Sequence, residues 1–227
     1  IDMTEFTRRM TKRIYDVAEY EKALAWVKEN CKEGDDYNSP ETRRDRAQLD
    51  REWEMSVQMA LIARDLMVGN PKLTEMGYAE EGLGSNAVAA GFQGQRQWTD
   101  LYPNFDMTES LLCSSFDWNG YRAPMVVATE NDSKNAIGML AAQLVTGAPQ
   151  LFADIRTNWT PESIKKATGV DVSKTVPQGL IDKRNSGAGS LDYALDVTRL
   201  VPGGRRTAAD SAGRALAGIC RNRQRHD

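Results

Sequence analysis

The sequence predicts an α/β fold, a doubly wound parallel-sheet domain followed by the start of a β-rich domain, and three observations carry that expectation. Residues 123–129 are an apolar run that ends on Glu130 and leads into an amphipathic helical stretch, residues 133–145. Residues 151–156 show the pattern again, an apolar run reaching the carboxylate of Asp154. Gly169 and Pro177 then cut the chain into pieces suited to strands and turns rather than long helices. The expected division is residues 1–146, 147–198 and a tail, 199–227.

Each apolar run is expected to be a strand with its acid at the carboxyl end, where open α/β sheets place their chemistry. Two acids on neighbouring strand ends can hold one hard divalent cation or divide acid and base roles between them. The plainer alternative is that Glu130 and Asp154 only cap the helices that follow. Asp132 or Ser133 is the expected cap of helix 133–145, which Gly147-Ala148-Pro149 ends. Thr160-Pro161-Glu162 has the order of a cap, a first-turn proline and a first-turn acid, so it opens another helix.

The N-terminal third reads as helical. Phe6, Met10, Ile14 and Val17 make one apolar stripe and Tyr20, Leu24 and Val27 a second. After a polar loop, residues 32–40, a long helix is expected over residues 41–68, with Trp53, Val57, Leu61 and Met67 buried and Gly69-Asn70-Pro71 as the stop. Its charged front, Thr42-Arg43-Arg44-Asp45-Arg46 and Asp50-Arg51-Glu52, is either a solvated face with i,i+4 pairs or a contact with another subunit.

Gly82-Leu83-Gly84-Ser85-Asn86-Ala87 imitates part of a dinucleotide fingerprint, but that motif needs a strand directly before it, and residues 75–81 do not form one. A Gly/Ala-rich helix over residues 85–101 is expected instead. Gly91 and Gly94 within it would cost about 1 kcal/mol each against alanine, so close packing or approach to a ligand should offset them. Gln93, Gln95 and Gln97 offer amides suited to sugar hydroxyls, although surface glutamines are the commoner explanation. A short helix over residues 108–115 and a turn over 116–120 lead into the strand before Glu130.

With 41% hydrophobic and 27% charged residues the chain has the composition of a globular protein with a sizeable core. The net charge of −3 argues against nucleic acid as the main partner. Cys31, Cys113 and Cys220 are odd in number and widely spaced, which indicates neither a disulfide framework nor a zinc ribbon. The chain begins at Ile1 and shows no signal peptide or apolar run near the ~20 residues of a membrane helix, so a cytoplasmic location, as a piece of something longer, is expected.

Glu41-Thr42-Arg43-Arg44-Asp45-Arg46, Gly91-Phe92-Gln93-Gly94-Gln95-Arg96-Gln97-Trp98, Ser115-Phe116-Asp117-Trp118-Asn119-Gly120, Ala128-Thr129-Glu130-Asn131-Asp132-Ser133 and Phe152-Ala153-Asp154-Ile155-Arg156 together resemble the bacterial L-fucose isomerases. The resemblance is nearly continuous over residues 2–160. It implies two α/β domains and a β-rich C-terminal domain, of which this chain matches the second and the start of the third. It further implies an aldose-ketose isomerase, a manganese-dependent hexamer, interconverting L-fucose and L-fuculose and often accepting D-arabinose. By the same resemblance Glu130 and Asp154 are both metal ligands and the proton-transfer pair, while Gln93 and Ser186 contact substrate. A non-catalytic assembly module that keeps the subunit contacts is the alternative.

Departures from the family pattern lie toward the C-terminus. The family's third metal ligand is a histidine far downstream, whereas the single histidine here is His226, in unrelated surroundings. Where the family has an apolar strand before Asn-Ser-Gly, this chain has Asp182-Lys183-Arg184. From about residue 198 the resemblance ends, and residues 199–227 carry seven arginines against Asp210 and Asp227, with no lysine. That Arg/Ala/Gly bias is what a GC-rich gene gives when read out of frame; a genuine basic tail is the simpler alternative. A tail that packs on nothing is expected.

Overall fold

Asp2 and Asp16 set where the first two helices start. In a computed structural model, which describes residues 1–32, 39–41, 43–93, 101–184 and 189–193, helix α1 (Met3–Lys12) is capped by the Asp2 carboxylate, which accepts from the Glu5 N–H at 2.8 Å. Arg13, in the left-handed region at φ 55°, ends it. Asp16 then caps α2 (Val17–Asn30). The first apolar stripe therefore breaks after Met10. Ile14 and Tyr15 are buried in the connection, whereas Val17 belongs to the first turn of α2 and is 40% exposed.

Helix α3 (Arg46–Val68) begins five residues later than the sequence predicts, because Asp45 accepts from the Gln48 N–H at 2.7 Å and so fixes the first turn. Val57, residues 59–63 and Met67 bury its rear half, and Gly69 at φ 79° ends it. On its front, Arg46 pairs with Asp50 at 2.9 Å, both about half exposed, and Arg44 pairs with Glu52. The expected i,i+4 pairing of a solvated face is thus present within the chain. Short helices α4 (Pro71–Glu75) and α5 (Ala79–Leu83) follow.

The described part of the glycine-rich segment, residues 85–93, does not form the expected helix. Residues 89–92 are strand β1 (Ala89–Phe92), and no strand directly precedes Gly82. After it come α6 (Asp106–Cys113), a small hairpin of β2 (Phe116–Asp117) and β3 (Gly120–Tyr121), strand β4 (Val126–Thr129) and α7 (Ser133–Thr146), the last capped by Asp132 as expected. Strands β1 and β4 pair in parallel, with Ala89 opposite Val126 and Phe92 opposite Thr129. Gly91 explains the override. A Cβ there would lie 2.7 Å from the Asn131 Cα, so the residue is selected for close backbone approach, which is what glycine inside a strand marks.

An aromatic trio ties this sheet to its neighbours. Phe6 of α1 packs on Phe92 of β1 at 5.0 Å between ring centroids, and Phe105, just before α6, stacks on Phe92 at 4.1 Å. Glu19 ties the other side. It accepts from Arg64 of α3 in a two-point pair (Nη2 to Oε2, 2.7 Å), from the Trp118 indole N–H at 2.9 Å and from the Asn119 amide at 3.0 Å. Burial pushes its carboxyl up, but the Arg64 guanidinium outweighs burial, and the pKa falls to about 2.

The chain divides into two units. The first holds everything named so far, through Phe152, together with residues 189–193. Those last residues include a 3₁₀ turn (Leu191–Tyr193) and a buried polar clasp: Asp192 accepts from the Ser115 N–H at 2.8 Å and the Ser190 hydroxyl at 2.7 Å, while the Leu191 N–H donates to the Ser114 hydroxyl at 2.8 Å. The second unit starts at Ala153 and contains β5 (Asp154–Trp159), α8 (Pro161–Thr168), capped by Thr160, and β6 (Leu180–Arg184).

Strands β5 and β6 are antiparallel, and Asp154 opens β5. The expectation that Asp154 closes a parallel strand is thereby corrected: residues 151–153 are not strand, and Asp154 stands at the amino end of an antiparallel one. The hydrophobicity of Leu151 and Phe152 has another cause, since Phe152 is buried in the core of the first unit.

Candidate active site

The carboxyl end of the β1–β4 pair gathers the first group of site residues. Phe92 and Thr129 are register partners, so the residues that follow them, Gln93 and Glu130, leave neighbouring parallel strands at the same level. Both are exposed. Sequence reasoning put Glu130 at such a strand end, and it is there. It placed Gln93 in a helix, and the structure instead brings it to the same sheet edge as Glu130.

The turn that presents Glu130 is unusual. Glu130 and the next residue, Asn131, both have left-handed backbones, at φ 57° and 61°. A non-glycine residue in that region is uncommon, and two in succession mark a turn held by its surroundings. Three contacts hold it. Gly91 makes room for Asn131, whose Oδ1 would lie 2.5 Å from any Cβ placed there. Asp132 locks the downstream side by accepting from the Lys134 and Asn135 N–H groups, each at 3.1 Å. Upstream, the Thr129 hydroxyl donates to the Glu109 carboxylate at 2.6 Å.

Glu109 and Asp106, both buried on α6, were missed by the sequence reading. Asp106 accepts from the Asn104 amide at 3.0 Å. Burial, partly offset by that hydrogen bond and reinforced by the charge of Glu130, pushes its carboxyl up to about 7. The available signal was faint: acids in a first helical turn read as partners of the helix dipole, and only the apolar residues packed around Glu109 in Met107-Thr108-Glu109-Ser110-Leu111-Leu112 set it apart.

Asp154 belongs to the second unit. Its half-buried carboxylate pairs with the Arg156 guanidinium at 3.1 Å. Ser186, Gln95, Gln97, Cys220, His226 and the arginine-rich tail lie outside the described residues. Cys31 and Cys113 are buried thiols, each pushed up to about 12 by desolvation, and so are poor nucleophiles and ligands.

Whether these residues suit a metal turns on donor chemistry. Glu130 and Asp154 offer hard carboxylate oxygens of the kind manganese and magnesium take, and Asp154 already holds a cationic group, the Arg156 guanidinium. The residues fit such an ion in donor type. Among the described residues no three His, Cys, Asp or Glu side chains gather to complete a site. Among those residues, too, no helix is long and apolar enough to cross a membrane.

The family model described as L-fucose isomerase, second N-terminal domain, matches residues 1–147. An L-fucose isomerase of Bacteroides fragilis is 55% identical over 194 residues, which are 85% of this chain and 33% of that protein. An L-fucose isomerase of Bacteroides thetaiotaomicron is 55% identical over 195 residues, again 85% and 33%. One from Streptococcus pneumoniae is 52% identical over 199 residues, 88% of this chain and 34% of that protein. The chain thus spans about a third of the length of the curated relatives it matches.

Proposed function

Because the chain belongs to the L-fucose isomerase family, we propose that it forms part of a metal-dependent aldose-ketose isomerase interconverting L-fucose and L-fuculose, and D-arabinose and D-ribulose. The match over residues 1–147 and the identity of 55% to an L-fucose isomerase carry this reading. Glu130 and Asp154 are proposed as ligands of a Mn2+ ion and as the proton-transfer pair, and Gln93 and Ser186 as substrate contacts. A cytoplasmic hexamer is the proposed working form.

Aldose-ketose isomerisation moves a proton from C2 to C1 and a second proton from the O2 hydroxyl to O1. A bound divalent ion supplies polarisation of the two sugar oxygens, which makes the C2 proton acidic enough to leave. One of the two carboxylates takes the C2 proton, giving an ene-diol, and returns it to C1. The other carries the hydroxyl proton between the oxygens. The Gln93 amide can donate to one sugar hydroxyl and accept from another, orienting the substrate beside Glu130.

Ketose formation from L-fucose by the purified chain with Mn2+, read by a coupled assay, tests the proposal; turnover is the supporting outcome. The second reading, an assembly module without turnover, is favoured by one observation: the chain spans a third of its relatives. No ketose from this chain and none from a chain extended at both ends would select it.

A further inference from the structure

A one-residue bulge in β5 decides what Asp154 faces. The register pairs Asp154 with Arg184 and Ile155 with Lys183, then resumes with Thr157 opposite Asp182, Asn158 opposite Ile181 and Trp159 opposite Leu180. Arg156 is the inserted residue. Directly opposed residues share a face of the sheet, so Asp154 lies with Thr157, Trp159, Asp182 and Arg184. In an unbroken strand it would lie with Arg156 and Asn158. Burial follows this only close to the bulge: Asp154, Thr157 and Asp182 are half-buried and Ile155, Arg156, Asn158, Ile181 and Lys183 exposed, while Trp159, Leu180 and Arg184, on the Asp154 face, are exposed as well.

Bulges re-aim side chains beside functional sites. Here the inserted side chain also folds back, setting its guanidinium against Asp154 at 3.1 Å. Arg184, although opposite Asp154 in register, is taken up by Asp182 at 3.3 Å. Among the described residues, then, Arg184 pairs with Asp182 and Arg156 with Asp154.

We propose that Arg156 is the resident counter-cation of Asp154, and that a divalent ion reaches this carboxylate in competition with the guanidinium. The inference rests on the reading of Asp154 as a metal ligand. Arginine keeps its charge at every working pH, so the competition is not relieved by deprotonation. Arg156 is more than half exposed, which makes the pair weak enough for the ion to displace it. Arg156 is thus a positioning residue that holds the carboxylate before the ion arrives and sets how tightly the ion is then bound.

The test is Mn2+ titration of the whole purified chain, with free Mn2+ read by electron paramagnetic resonance. R156M should bind Mn2+ roughly two- to fivefold more tightly than wild type, the range that loss of one exposed ion pair allows. R156K, which keeps the charge, should stay close to wild type, and R184M should change affinity less than R156M. D154N should weaken binding. Equal or weaker binding by R156M, an R184M effect as large as that of R156M, or unchanged binding by D154N overturns the inference while leaving Mn2+ binding by the chain intact. Absence of Mn2+ binding in wild type and every variant overturns the metal reading itself, and this inference with it.

Discussion

Gln93 and Glu130 leave adjacent parallel strands at the same level, because Phe92 and Thr129 before them are register partners. The proposed substrate contact at Gln93 and the proposed metal ligand at Glu130 divide the expected effects of mutation. In a chain that turns over L-fucose, E130Q and D154N should each abolish ketose formation. Q93A should instead raise KM about tenfold, the worth of one lost hydrogen bond to a sugar hydroxyl, with a smaller change in kcat. Steady-state coupled assays check both, and wild-type turnover in E130Q or D154N ends the assignment.

The Gly91 approach to Asn131 predicts a stability effect confined to one end of the sheet. Replacing Gly91 by alanine would place a Cβ 2.7 Å from the Asn131 Cα and 2.5 Å from its Oδ1. Because part of that clash is with backbone, G91A should cost about 1–3 kcal/mol, and N131A in the same chain should recover only the side-chain share. Urea unfolding of the two single variants and the double variant measures this. A fully restored double variant would show that the backbone has moved without cost.

Asp106 gives a pH dependence of unusual sign. Burial raises its folded-state pKa to about 7, above the ordinary carboxylate value of about 4. Between those values the folded state binds the proton and the unfolded state does not, so stability falls as pH rises from about 4 to 7. D106N keeps the acceptor for Asn104 and removes the charge. Its melting temperature relative to wild type should therefore be higher at pH 8 than at pH 5, and a constant difference across that range would refute the assignment.

Glu19 gives the opposite slope. With its pKa lowered to about 2 by Arg64, its contribution is complete above the unfolded value of about 4.5 and is lost as pH falls toward 2. Stability should drop through that window by roughly 1–3 kcal/mol more in wild type than in E19Q. E19Q itself should be destabilised at pH 7, since the buried Arg64 guanidinium loses its two-point partner and keeps only Asp65. Guanidinium melts at pH 3, 5 and 7 distinguish these outcomes.

The sequence by itself determined what local chemistry settles. Asp132 as a cap, Gly147 as a stop, Thr160-Pro161-Glu162 as a helix start and residues 126–129 as a strand running into Glu130 all follow from groups a few residues apart, and all stand in the structure. The motifs around Gln93, Glu130 and Asp154 were specific enough to point to the family that residues 1–147 match. Tertiary contacts decided the rest. Gly91 reads as a helix breaker until Asn131, far along the chain, is seen against it. Glu109 reads as a first-turn acid until Thr129 donates to it. Asp154 reads as the end of a parallel strand because Leu151 and Phe152 are apolar, yet Phe152 is buried in the first unit and β6 pairs with Asp154 from the other direction. Hydrophobic pattern records that a residue is buried; which element buries it, and from which side a strand is approached, depends on residues far away in the chain.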